Sequence, residues 1–268
     1  MSNIFVISDI HGYYEQMLDS LKNVNLNDQE NKLIFLGDYV DGGSDSCKVL
    51  YFIKALYERH KEQIIVLLGN HDEWFLDWLY SEVDELQWFS LDQRMSTVKS
   101  FLSEAEYREI LESIKSTRPT NKKVSILFKN VIKKKHHHLL EWFLTISKQP
   151  RFIETDRQIF VHAGILEEAG DLWKHGTTQD YFTQKYPAEI GLFYKEIIAG
   201  HVSSAEVANN DAYLGKVYWD GESHFYIDGT VEKSGTIPIL KYDTINKRYS
   251  AFEKDKADKK WREVFVNL

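Results

Sequence analysis

Five short clusters of Asp, His and Asn, each beside a glycine, punctuate this chain: Asp9-Ile10-His11-Gly12, Gly37-Asp38-Tyr39-Val40-Asp41-Gly42-Gly43, Gly69-Asn70-His71-Asp72, Val161-His162-Ala163-Gly164 and Gly200-His201-Val202. Several stand where an apolar run of β character stops. An open α/β sheet gathers such points, because its ligands sit outside the carboxyl ends of the strands. Asp, Asn and neutral His are also the side chains that hold divalent ions such as manganese, iron and zinc. Six such groups converging can hold two ions that share one carboxylate, an arrangement suited to phosphate-ester chemistry.

The runs between the clusters support that placement. Strand character appears at 3–8, 32–36, 63–68, 158–161 and 196–199, and amphipathic helical spacing at 13–24 and 44–59. The first part therefore reads β-α-β-α-β, which calls for parallel strands with right-handed crossovers. From about Val217 short runs at 217–219, 224–228, 236–242 and 248–252 alternate with Gly- and Asn-containing turns, the pattern of antiparallel meanders. The expected fold class is α/β: a mixed sandwich of two sheets packed face to face and flanked by helices, forming one domain over residues 1–268. Asp9 and His11, two apart at a strand end, point to the same side of an extended segment.

Residues 81–148 carry no candidate ligand pattern and have helical periodicity, so they read as a helical insertion or cap. It lies between the third and fourth clusters, where it is either a lid over the site or a solvated lobe without a role in substrate choice. The run Lys133-Lys134-Lys135-His136-His137-His138 has no register that puts all three histidines on one helix face, and it reads as solvated surface.

Composition narrows the function. The 268 residues are 43% hydrophobic, enough for a large core. With 33 basic and 41 acidic residues the formal charge is −8, a field that repels long nucleic acids and does not attract phosphorylated substrates in general. A phosphate substrate would need bound cations. The one cysteine, Cys47, allows no internal disulfide, fits a reducing cytoplasm and reads as a core thiol. No signal peptide is expected ahead of the first strand, and no apolar stretch is long enough to cross a membrane as a helix.

The series Asp9-x-His11, Gly37-Asp38-x-x-Asp41, Gly69-Asn70-His71-Asp72, His162-Ala163-Gly164 and Gly200-His201 resembles the calcineurin-like metallophosphoesterases. Within them it is most similar to the bacterial branch of the phosphoprotein phosphatases and to the symmetrical dinucleoside tetraphosphatases. The Gly-Asp-Tyr-Val-Asp core and the His-Ala-Gly-Ile segment are its most specific parts. The resemblance covers roughly residues 3–80 and 140–240. It implies one metal on Asp9, His11 and Asp38, and a second on Asp38, Asn70, His162 and His201, with Asp38 bridging. It makes His71 the general acid for the departing alkoxide, a task that suits an imidazole near neutral pH. Asp41 is then the natural partner to orient His71. Asp72 is a weaker candidate for that task and reads instead as the N-cap of a helix over 73–80.

The chain departs from the protein phosphatases at three arginines. Gly42 stands after the second Asp of the Gly-Asp core, Leu68 stands before Gly-Asn-His, and Lys174 and His175 follow Trp173. Bidentate guanidinium clamps are the ordinary grip on a phosphate dianion. Lys174 or His175 is therefore the expected substrate contact for a monoesterase. The alternative is a diester or anhydride substrate, whose extra group would collide with those arginines, and Leu68-Gly69-Asn70-His71-Asp72 matches the tetraphosphatases better. The expected activity is a phosphatase dependent on two divalent ions, manganese foremost with iron, zinc or nickel as alternatives. Its substrate would be a phosphorylated small molecule, a nucleotide or a phosphoprotein. A regulatory binding module that kept the metal site is the contrasting class, and the pair His71 and Asp41 argues against it, since binding alone needs no general acid.

Overall fold

The computed structural model describes residues 2–81, 92–117, 121–255 and 258–266. Its first sheet begins with β1 (Asn3–Ile7), β2 (Lys32–Phe35) and β3 (Ile64–Val66), paired in parallel. Helices α1 (Tyr14–Leu21) and α2 (Ser46–Arg59) make the crossovers, and α3 (Asn70–Tyr80) follows β3. The second sheet contains β4 (Phe152–Glu154), β5 (Gln158–Val161), β6 (Glu196–Ser203), β7 (Tyr218–Trp219) and β8 (His224–Asp228) in the order β4-β5-β6-β8-β7. Strands β9 (Ile239–Asp243), β10 (Arg248–Lys254) and β11 (Trp261–Phe265) extend the first sheet to the order β11-β10-β9-β1-β2-β3.

The alternation of side chains along each strand builds three apolar layers. Val6, Ile34, Leu36, Phe160, Ile198 and Phe225 fill the space between the sheets. Their neighbours Phe5, Ile7, Leu33 and Phe35 face the helices of the first sheet, while Ile159, Val161 and Ile197 face Trp173 and Phe182. The two-sheet sandwich with outer helices is thus the architecture that the patterning implies.

The carboxyl-terminal third corrects the meander reading. β7 and β8 pair antiparallel, as do β9, β10 and β11 among themselves, but β8 also joins β6 in parallel and β9 crosses over to pair with β1. The break falls between the runs 224–228 and 236–242, which belong to different sheets. β8 is buried along most of its length, and a strand covered on both faces loses the polar alternation that separates the two cases.

Within the insertion expected over 81–148, residues 82–91 and 118–120 lie outside the described ones. The remainder forms α4 (Asp92–Ser100), α5 (Glu104–Thr117), α6 (Asn121–Lys135) and α7 (His137–Ile146). These helices are not a lobe apart: Val98, Phe101, Ile110, Phe128, Ile132, Leu139, Leu140 and Phe143 share one core with Phe5, Phe35 and Leu50. The His run splits accordingly. His136 is buried, its ring bonded to the Tyr51 hydroxyl at 2.9 Å and the Phe101 carbonyl at 2.7 Å, whereas His137 and His138 are exposed beside Glu141. The first of the three histidines is therefore a core residue, contrary to the solvated reading.

Among the described residues no helix is long and apolar enough to cross a membrane. Phe143 is fully buried and packs on Tyr39, with ring centroids 6.4 Å apart, which couples α7 to the loop after β2. Phe143→Ala should cost about 3–5 kcal/mol of unfolding free energy. Urea denaturation followed by circular dichroism measures it, and a loss below about 1 kcal/mol would mean that α7 does not pack as described.

Candidate metal and phosphoester site

The loops after β1, β2, β3, β5 and the end of β6 meet at one end of the sandwich. Asp9 and His11 do not sit on an extended strand end, as their spacing alone implies. β1 stops at Ile7, and both residues lie in the left-handed region, at φ 54° and 47°. The turn is pinned to the loop after β2: the amides of Asp9, Ile10, His11 and Gly12 donate to the carbonyls of Gly37, Asp38, Asp38 and Tyr39 at 2.8–3.1 Å. Asp38, Asp41 and His201 also have positive φ, so five of the nine such non-glycine residues among those described belong to the predicted set. Short polar side chains tolerate that region best, and its concentration here marks a site that the surrounding structure overdetermines.

Asn70 and His71 do not end β3. They open α3, whose N-cap is Gly69. Asp72 is accordingly not the N-cap but the third residue of the helix, and its carboxylate reaches back to the Gly69 amide at 3.0 Å. The same carboxylate accepts the amides of Asp38 at 2.7 Å and Tyr39 at 2.9 Å, fixing the β2 loop to the start of α3. Burial and the Asp38 charge push its pKa up to about 7. Gly69 has to be glycine, because a Cβ there would stand 2.1 Å from an Asp38 carboxylate oxygen.

The predicted ligands then converge. His11 Nε2 lies 3.7 Å from Asp38 and 3.9 Å from Asp9, while its Nδ1 meets the Val40 carbonyl at 3.1 Å. His162 Nε2 lies 3.4 Å from Asp38 Oδ2 and 3.1 Å from Asn70 Oδ1. His201 sits at an irregularity of β6, its amide donating to both oxygens of Asp9 at 3.2 Å and its ring 5.3 Å from that of His162. Ligand atoms of Asp38, His162 and His201 lie within 4.8 Å of one another, as do those of His11, Asp38 and His71. Asp38 belongs to both groups, which is the position a bridging carboxylate needs.

The electrostatics ask for positive charge. Burial opposes ionisation of His11, yet the Asp38 and Asp9 carboxylates push its pKa up to about 9. His162 is likewise raised to about 9 against its burial, mainly by Asp38. Asp38 is held well below the carboxylate range despite burial, by His162 and His71, whereas burial leaves Asp9 raised. His201, burdened by burial and by His162, falls to about 4 and stays neutral. His162 Nδ1 is buried and has no hydrogen-bond partner within the protein. The nitrogen that faces the cluster is Nε2, and the Asp38 carboxylate, the neutral amide oxygen of Asn70 and the imidazoles of His162 and His201 together make a donor set that fits a divalent ion.

His71, a member of the second of these groups, bonds Asp41 through its other side: Nδ1 meets Asp41 Oδ2 at 2.8 Å, and its ring stands edge-on to that of His11 at 4.9 Å. The Asp41 amide donates to Thr97 Oγ1 at 2.8 Å, and that hydroxyl donates to Asp41 Oδ1 at 2.8 Å. Arg94 Nε approaches Asp41 Oδ2 at 3.7 Å. Thr97 and Arg94, both on α4, were not among the residues singled out from the sequence. Nothing about an Arg or a Thr in a polar helix marks it as reaching a loop more than fifty residues away.

Lys174 and His175 are not brought to this cluster. Lys174 pairs with Glu154 of β4 and lies over the Trp173 ring, and His175 is exposed on the short helix α8 (Trp173–Gly176). The expectation that one of them takes the place of the missing arginine finds no support in that geometry, because the Glu154 carboxylate draws the lysine to the sheet edge.

The histidine shifts predict how pH acts on the metal-free protein. Both folded-state pKa values lie above the ordinary 6.5, so the stabilisation from the charged rings is complete below pH 6.5 and is lost as pH rises through about 9. Thermal melting of chelator-treated protein should fall across that window, and added manganese should abolish the fall. A melting temperature flat from pH 6.5 to 9 without metal would contradict the electrostatics described.

Comparison with known proteins agrees with this geometry. The chain is 42% identical over 72 residues to a symmetrical bis(5'-nucleosyl)-tetraphosphatase of Buchnera aphidicola, a stretch that is 27% of this chain and 24% of that protein. It is 38% identical over 88 residues to a putative serine/threonine-protein phosphatase of Caenorhabditis elegans, 32% of this chain and 23% of the other. The chain thus aligns with only about a quarter of the length of these relatives. In fold it is similar to a cold-active protein tyrosine phosphatase, with a TM-score of 0.58 at 16% identity over 97% of this chain and 78% of that one. Another structure of such an enzyme, from a psychrophilic Shewanella, gives 0.56 at 14% identity over 98% and 80%. Residues 2–205, well over half of the chain, match the calcineurin-like phosphoesterase family, and the protein belongs to it.

Proposed function

We propose that this hydrolase cleaves phosphate monoesters with two divalent ions, one held by Asp9, His11 and Asp38 and the other by Asp38, Asn70, His162 and His201. The observation that carries the reading is the His71–Asp41 pair at 2.8 Å, set beside the Asp38-centred ligand groups. Bound ions would supply Lewis acidity toward the phosphoryl oxygens and a water of lowered pKa. The protein's own part is orientation and proton delivery. Asp41, held by Thr97 through its amide and one oxygen, engages His71 Nδ1 and leaves Nε2 to pass a proton to the departing oxygen. Asp72 fixes the loop that presents Asp38, so the bridging carboxylate needs no rearrangement to bind.

Manganese is the first ion to test, with iron, zinc and nickel as alternatives that the same donors accept. A phosphorylated small molecule, a nucleotide or a phosphoprotein is the substrate class. A cytoplasmic setting belongs to the same reading. Cys47, the sole thiol, is buried and pushed up to about 12, so it is inert as a nucleophile.

A second reading, hydrolysis of dinucleoside tetraphosphates, draws on one specific observation. The segment Leu68-Gly69-Asn70-His71-Asp72 lacks the arginine of the protein phosphatases, and tetraphosphatases are among the relatives at 42% local identity. A panel of p-nitrophenyl phosphate, its bis ester, phosphoserine peptides and diadenosine tetraphosphate, each with manganese, separates the two. Failure on every member would leave a binding module.

Two substitutions test the roles. Asp38→Asn should reduce bound metal from two ions per chain to fewer than one by elemental analysis; retention of two would refute the bridging assignment. His71→Ala should slow alkyl phosphates by about 10²–10⁴-fold, the usual worth of a general acid, and aryl phosphates with good leaving groups far less. Equal losses on both would remove His71 from the acid role.

A further inference from the structure

We propose that Arg94, delivered by α4, is the guanidinium that grips the substrate's phosphoryl oxygens in this protein. The inference rests on the phosphoesterase reading above and names the residue that performs a task the sequence left without an owner.

The usual position for that guanidinium holds a glycine here. Gly42 has φ +98°, and a Cβ on it would meet the His11 carbonyl oxygen at 3.2 Å and the His11 Cβ at 3.3 Å. A side chain there would be strained by the backbone conformation and would need its neighbours to give by a few tenths of an ångström. Lys174 is held by Glu154, Arg151 by Glu73, and Lys185 by Glu167 and Glu189, none of them a carboxylate of the site. Among the described residues Arg94 is the one Lys or Arg that ion-pairs with a carboxylate of the site.

Its placement fits the task. Arg94 approaches the same Asp41 oxygen that binds His71, so it stands directly beside the proposed proton donor. Its Cζ lies 5.1 Å from the centroid of the Trp74 ring, which in turn lies 5.0 Å from that of His71. Stacking on an indole restrains the plane of a guanidinium while leaving its edge to point at an anion. The side chain is 18% exposed, open enough to meet a ligand. Thr97, one turn further along α4, anchors the helix by its bonds to Asp41 and its 3.2 Å contact with Ser46. Ser100 adds a bond from the Cys47 amide at 3.1 Å. Arg94 and Thr97 are i and i+3 and so share a helix face, which turns both toward Asp41.

The test uses the manganese-loaded full chain and reads phosphate affinity apart from turnover. Wild type, Arg94→Ala, Arg94→Lys and Thr97→Val are compared for KM and kcat on p-nitrophenyl phosphate. Inhibition by inorganic phosphate, and its direct binding by calorimetry, are measured in parallel. Arg94→Ala should raise KM and weaken phosphate about 10–100-fold, the worth of one or two charge-assisted hydrogen bonds. Arg94→Lys, keeping charge without the fork, should fall between. Thr97→Val, which loosens both Asp41 and the helix that carries Arg94, should lower kcat and weaken phosphate less than Arg94→Ala does; a loss of phosphate affinity larger than that of Arg94→Ala would count against Arg94 as the gripping group. Unchanged phosphate affinity in Arg94→Ala, in an active wild-type background, overturns this inference alone. Should Arg94→Ala not fold, unchanged affinity in Arg94→Lys and Arg94→Gln overturns it equally. A wild type that binds metal but turns over no ester overturns the phosphoesterase reading and this inference with it.

Discussion

Asp9, Asp38, Asp41 and Asp72 are all buried at one end of the sandwich, and such a concentration of negative charge is tenable only with counter-charge or donors for each member. The structure meets that demand in three different ways. Asp72 is answered by three backbone amides, Asp41 by Thr97, His71 and Arg94, and Asp38 by the imidazoles around it. Asp9 is the least compensated: its side chain faces the His201 amide, and burial leaves its pKa raised. The remaining deficit falls on His11 and His162, whose raised pKa values measure the same shortage of positive charge that a divalent ion would meet. Much of the local backbone follows from this. The left-handed turns at Asp9, His11, Asp38, Asp41 and His201 point short polar side chains inward where helical or extended conformations would not.

Asp72 shows how such a site is kept in shape without being part of its chemistry. One carboxylate joins the loop after β2 to the first turn of α3, so Asp38 and Asn70 are set relative to each other by a single rigid group. The Asp38 carboxylate closes the circuit by accepting the His71 amide at 3.0 Å. The helix start presents amides, the carboxylates accept them, and the cost of burying the charges is offset by bonds that the fold makes anyway.

The strand-end clusters were legible because ligands of this kind must sit beside glycine in tight loops after apolar strands, and that pattern survives in one dimension. The two-sheet sandwich was legible for the same reason, from strand alternation. What escaped was whatever depends on distant pairing. Whether β8 and β9 form a hairpin or part into two sheets turns on cross-strand partners, not on their own residues. His136 carries the same local signature as His137 and His138, and only the arrival of Tyr51 and Phe101 makes it a core residue. The start of α3 at Asn70, ahead of the Asp that looked like its cap, reflects a one-way cap in which the Asp72 carboxylate reaches back to accept the Gly69 amide.

Arg94 and Thr97 belong to that second class and change the meaning of the insertion. A helical segment without ligand motifs looks dispensable to chemistry when read along the chain. In space α4 supplies two of the groups around Asp41, and α7 packs Phe143 against the Tyr39 of the same loop. Asp41 is therefore the junction at which the sandwich meets the helical insertion. A carboxylate shared between an imidazole and a guanidinium holds each less tightly than it would hold one alone. A phosphoryl group approaching the guanidinium would relieve that competition, drawing Arg94 toward the ligand and leaving more of the Asp41 charge to the imidazole. Binding and proton donation would then be coupled through one side chain, and the insertion would set the strength of that coupling.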